Sequence, residues 1–216
     1  MFNITPSVII SRIVILLIAL PVHELAHAWT AHYFGDTTPE RNGRLSLNPL
    51  AHLDPLGAIM LLIAGFGWAK PVPVNPYALE KRAPYANLLV SLAGVIANLL
   101  LAILAAIPFR LGLIRLFTVP GTFLPSPTEL LLQFIIINLA LMLFNLIPLA
   151  PLDGEKVLSY LLPPRSGLSR FLDMIRPYGP LILLGLLVAG RTIGVDVIGW
   201  IMGPPLAAMF GLLVGG

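Results

Sequence analysis

The sequence contains no cysteine. That excludes disulfides and thiolate ligands together, so any bound metal must be held by His, Asp or Glu. Charge is scarce as well: 11% of the residues are charged, against about 25% in an ordinary soluble domain. A soluble core of 216 residues would need far more polar surface to cover it. Disorder does not explain the shortage, because the 21 prolines and 19 glycines punctuate apolar runs and form no polar tracts. What is present in abundance is apolar: 57% of residues are hydrophobic and the mean hydropathy is +0.92. The bilayer is therefore expected to be the main solvent. The net charge of +3 is spread between apolar segments, which speaks against a nucleic-acid face.

Residues 1–20 have the length of a signal peptide, but Ser11-Arg12 interrupts them and no A-x-A site follows. The stretch is expected to be retained. Four runs reach the roughly 20 residues that span a hydrocarbon core: Ser7–Tyr33, Tyr85–Pro108, Glu129–Pro148 and Pro177–Val214. The last is too long for one helix, and Gly190-Arg191 and Gly194 divide it into an expected hairpin of two. The fold class read from this pattern is an all-α polytopic membrane protein of about five transmembrane helices. The whole chain, 1–216, reads as one domain with its core at about 7–158 and a C-terminal hairpin at about 177–214.

A shorter apolar piece, Pro55–Gly67, suits a re-entrant segment better than a crossing. If it does not cross, Arg41, Arg44, Lys70, Lys81, Arg82, Lys156, Arg165, Arg170 and Arg176 share one side, opposite Arg110 and Arg115. Nine against two fits the positive-inside rule. The amino terminus is then expected outside a cell membrane and the nine basic residues in the cytoplasm. Between His32 and Pro76 the chain is rich in Gly and Pro, and Gly43–Leu47 and Pro71–Val74 alternate as strands do. A small membrane-associated β-element beside a polar cavity is the expectation, since irregular backbone at membrane depth needs shielding.

The first long run carries His23-Glu24-Leu25-Ala26-His27. Two histidines four apart share one helix face and can reach one zinc ion, while Glu24 beside them can take a proton from water. Ionisable residues inside a membrane helix are costly and functional by default. Two histidines are too few. A candidate third ligand lies in Asn145-Leu146-Ile147-Pro148-Leu149-Ala150-Pro151-Leu152-Asp153-Gly154, where prolines end a helix. Asp153 reads as ligand or as helix cap, and it falls at a membrane depth similar to that of His27. His32 points away from the pair. His52 reads more readily as a structural hydrogen-bonder than as a ligand or gate.

The HELAH helix, Ser91-Leu92-Ala93-Gly94-Val95-Ile96-Ala97-Asn98 and Asn145…Asp153-Gly154 together resemble the site-2 protease family of zinc intramembrane metalloproteases. Gly35-Asp36, Gly43-Arg44-Leu45, Asn48-Pro49 and Gly67–Val74 resemble its compact subgroup, which lacks PDZ and CBS domains. The match runs from about residue 20 to 158, and nothing beyond 165 carries a motif. The resemblance implies His23, His27 and Asp153 as ligands of one zinc ion per chain, and Glu24 as general base. It also implies Asn145 as a polar group near the scissile carbonyl, with an Asn satisfying broken backbone as the alternative. Gly94 and Asn98 are expected to pack helices together. Val95, where many members have proline, and Ala150 before Pro151 depart from the pattern without removing a ligand.

The function expected is hydrolysis of transmembrane or membrane-associated protein substrates by zinc-activated water. A zinc or proton transporter using the same His/Asp cluster is the main alternative, although no internal repeat is visible. A catalytically silent zinc-containing adaptor is the second. Self-association is left open. Lacking a soluble sensor domain, such a protein is expected to be regulated by partners, membrane or substrate supply.

Overall fold

The computed structural model describes residues 5–57, 68–114, 124–192 and 194–215. Helix α1 spans Pro6–Tyr33, with Thr5 accepting the Val8 N–H and proline in the first turn. Its missing N–H is no loss there. Helix α5 spans Ala86–Arg110 and α6 spans Pro127–Asn145. Between α1 and α5 the described residues include the short helices α2 (Thr38–Arg41), α3 (Pro49–His52) and α4 (Pro76–Arg82). After α6 follow α7 (Asp153–Leu161) and α8 (Gly167–Ile175), then a 3-10 turn at Arg176–Tyr178. Helices α9 (Gly179–Thr192) and α10 (Val197–Val214) end the chain.

Among the described residues, five stretches are long and apolar enough to cross a bilayer: α1, α5, α6, the run Gly167–Gly190, and α10. Helices α9 and α10 lie on either side of Gly194, whose positive φ of 72° suits glycine. Helix α9 continues a helical run that begins at Gly167, ahead of the Pro177 at which the apolar block was expected to start.

Helix α5 lies between α1 and α6 and packs closely on both. One buried cluster joins Ala102, Ala106 and Phe109 to Ile135 and Leu139 of α6 and Val214 of α10. A second joins Ala31 and Phe34 to Leu79, Ala83, Ala86 and Val90. Small residues at both seams let helix backbones approach, which is how membrane helices gain packing when lipid is as apolar as leucine.

The expected β-element is not formed among the described residues, where an isolated antiparallel bridge, Leu53 to Ala69, is present and no sheet. The reason is local. Pro71 and Pro73 have no N–H to give a ladder, and the buried Arg44 guanidinium takes carbonyls instead. It donates to Ala51, Lys70 and Pro71 at 2.5, 3.2 and 3.3 Å. Asp36 does similar work, accepting the N–H of Thr38 at 2.9 Å and of Asn75 at 2.6 Å. These two side chains tie the irregular segment to the end of α1. Of the expected re-entrant piece Pro55–Gly67, residues 58–67 lie outside the described ones.

Candidate metal centre

A nitrogen of His23, a nitrogen of His27 and an oxygen of Asp153 converge in the protein interior. The Nε2 atoms of the two histidines are 3.0 Å apart, and Asp153 Oδ2 stands 3.3 Å from His23 and 3.0 Å from His27. All three residues are buried. The four-residue spacing in α1 brings the imidazoles to one face. Asp153 arrives from the far end of the chain because α6 stops at Asn145 and α7 restarts at Asp153.

The hydrogen bonds fix which nitrogens face inward. His23 Nδ1 lies 2.9 Å from Asn98 Oδ1, and His27 Nδ1 lies 2.6 Å from the Val90 carbonyl. Both partners are acceptors, so each Nδ1 carries the proton and each Nε2 turns a lone pair toward Asp153. Three lone-pair atoms so close would repel unless a cation or proton sits among them. Zinc ligands about 2.0–2.1 Å from a tetrahedral ion stand about 3.3 Å apart, and the observed 3.0–3.3 Å spacing agrees. The donor set therefore fits one zinc ion.

Helix α5 supplies the wall. Val90, Gly94 and Asn98 follow one another at four-residue steps along one face. Val90 and Asn98 accept from the two imidazoles, and Gly94 makes room between them. A Cβ at Gly94 would lie 2.6 Å from His23 Nε2 and closer still to His27 Nε2. Asn98 and Gly94 thus do more than the helix packing expected of them. The sequence signal was their spacing within an apolar helix, but it could not reveal the imidazoles as partners.

Asp153 is not a side-chain cap: the N-cap of α7 is Leu152, and no side chain caps that helix. Its second oxygen, Oδ1, accepts from Lys156 Nζ at 3.0 Å. Burial opposes ionisation of this carboxyl, and the Lys156 ammonium beside Oδ1 favours it.

Glu24 is buried beside His23 in α1. Asn145 closes α6 and donates to the Leu141 carbonyl at 3.0 Å. His52 is fully buried and donates through Nε2 to the Ser46 carbonyl at 2.6 Å, in keeping with a structural part. His32 stands 3.5 Å from Glu40. Neither joins the three-residue group.

Comparison with known proteins agrees with this geometry. The chain is 41% identical over 178 residues to a Bacillus subtilis protein named "Putative zinc metalloprotease YwhC", covering 82% of this chain and 79% of that one. It is 35% identical over 175 residues to "Putative zinc metalloprotease Rip2" of Mycolicibacterium smegmatis, covering 80% of this chain. The Mycobacterium tuberculosis H37Rv protein of the same name is 33% identical over 179 residues. The chain spans 64% of the length of each of these two Rip2 proteins. No family model and no solved structure matches it.

Proposed function

The chain belongs to the site-2 protease family of zinc metalloproteases, and on that premise we propose that it hydrolyses peptide bonds of transmembrane or membrane-associated proteins at a site within the bilayer. The observation that carries this reading is the convergence of His23 Nε2, His27 Nε2 and Asp153 Oδ2 at 3.0–3.3 Å between helices apolar enough to cross a membrane. These three atoms would hold zinc. When bound, zinc supplies Lewis acidity toward a carbonyl oxygen and lowers the pKa of water toward about 7.

The chain's own residues do the rest. Asn98 and the Val90 carbonyl hold the imidazoles in the tautomer that leaves Nε2 free. Lys156 engages Asp153 Oδ1 and leaves Oδ2 to the metal side. Glu24 accepts the water proton and returns it to the leaving amine nitrogen. Asn145 has one amide N–H on Leu141 and a second available for charge developing on the scissile carbonyl. A substrate helix must unwind to be cut, and residues 71–74, outside any helix or ladder, offer it a segment to pair with by strand addition. On the same reading the site lies toward the cytoplasmic side, with the amino terminus outside.

The test compares purified wild type and Glu24→Gln for zinc content and for cleavage of a model transmembrane substrate. Expected are one zinc per chain in both proteins and a rate loss of about 10²–10⁴-fold in the variant. Equal cleavage, or none, by zinc-loaded proteins would favour transport or a structural zinc.

A further inference from the structure

The last quarter of the chain, beyond residue 165, carries no motif, yet it grips the loop and helix that deliver Asp153. Arg176, in the turn after α8, donates to Glu155 Oε1 through Nε at 2.9 Å and Nη2 at 2.6 Å. Nη2 also reaches Ser159 Oγ at 3.2 Å, and that hydroxyl donates to the same Glu155 oxygen at 2.9 Å. Three residues on, the first residue of α9 backs onto the same loop. A Cβ at Gly179 would collide with the carbonyl of Ala150.

Glu155 is only 6% exposed and sits in the first turn of α7, two residues after Asp153. Two residues turn a helix by about 200°, so Arg176 holds α7 on the face opposite the metal centre. Gly154, between them, lies against the Leu146 and Ile147 carbonyls at the end of α6. Helix α7 is nine residues long, and a roll of ~20° would carry an atom ~6 Å from its axis through about 2 Å. That displacement equals a metal–ligand bond. Asp153 can stay on two histidines of a distant helix only if this roll is fixed. An exposed ion pair would matter little for such a purpose. Here the acid is buried and accepts three donors.

We propose that Arg176 is a positioning residue of the metal centre: through Glu155 it fixes the roll of α7 and keeps Asp153 Oδ2 on His23 and His27. The proposal rests on the reading of those three residues as zinc ligands. On it, the motif-free C-terminal region is a working part of the site.

Zinc affinity, measured by chelator competition on the detergent-purified full chain, tests it in wild type, Arg176→Gln, Arg176→Lys, Glu155→Gln and His23→Ala. Arg176→Gln and Glu155→Gln are expected to weaken zinc binding by about tenfold or more. Arg176→Lys should recover part of the loss, and excess zinc should restore cleavage to Arg176→Gln. Thermal unfolding of the zinc-free proteins, read alongside, separates positioning from general support. A lowered midpoint with wild-type zinc affinity would overturn the proposal. So would wild-type affinity in both variants while His23→Ala loses zinc. Glu155→Gln keeps the side chain's size and decides the matter if Arg176→Gln does not fold. Wild-type zinc binding by His23→Ala would instead strike down the ligand reading, and the proposal with it.

Discussion

A methyl group added at Gly94 would be met by two imidazoles, with His23 Nε2 at 2.6 Å. Within a helix, the same methyl group favours the fold by about 1 kcal/mol. The two effects act on different observables, which makes Gly94→Ala an informative variant. It should keep its helix content and thermal stability while its zinc content falls to background; zinc at wild-type level would mean the imidazoles can move aside. Asn98 acts more gently. Asn98→Ala removes the acceptor that orients His23, and zinc affinity should drop by about 10–100-fold; Asn98→Asp, which keeps an acceptor, should retain most of it. At this scale the sequence was legible wherever a contact is local. His23 and His27 are readable as a pair because the helix period alone brings them together. Asp153 was readable from a proline-broken helix end and the lack of cysteine. Asn98, Gly94 and Lys156 were not read as site residues. The first two meet histidines some 67–75 positions away, and only the rotation of α5 against α1 decides that.

Among the elements, the irregular stretch between α1 and α5 is where sequence reasoning went furthest astray. Alternating apolar residues at 43–47 and 71–74 suggested paired strands, but the proline N–H groups are missing and a buried arginine occupies the carbonyls. Arg44 donates to Lys70 and Pro71, and Asp36 accepts from Asn75. Residues 71–74 are thus anchored at both ends, with their middle uncommitted to any ladder in the described residues. If a substrate strand docks there, Val72 must offer its N–H or leave space for the incoming chain. Val72→Pro should therefore slow cleavage by tenfold or so, about the cost of one hydrogen bond in a closed site, with zinc retained. Unchanged cleavage would move substrate docking elsewhere. The long helices were easier to read, since length and hydropathy decide them before any tertiary contact does. The start of the fourth helical run at Gly167 was harder to see, because Arg170, Asp173 and Arg176 interrupt the apolar signal of its first turns.

Across the whole molecule, the pairing of α1 with α5 bears on topology. His23 meets Asn98, and His27, one turn further along α1, meets Val90, two turns earlier in α5. The helices therefore run antiparallel, and the segment between them leaves and re-enters the bundle at one end. Arg41, Arg44, Lys70, Lys81 and Arg82 lie in the segment between them, and we propose that they share a side of the membrane with the four basic residues after α6. Their attraction to the cytoplasmic side should then outweigh that of Arg110 and Arg115. Reporter fusions after residue 75 should accordingly be active as cytoplasmic reporters, and fusions after residue 120 as external ones. The same orientation puts His27, six residues before the end of α1, at ~9 Å from that helix's cytoplasmic end. That depth is shallow enough for water to reach Glu24 in its proposed role as proton acceptor, yet is still enclosed by α5 and α7. An external reporter at residue 75 would invert the protein and put the metal centre at the opposite face, where the unwound substrate would have to arrive from outside the cell.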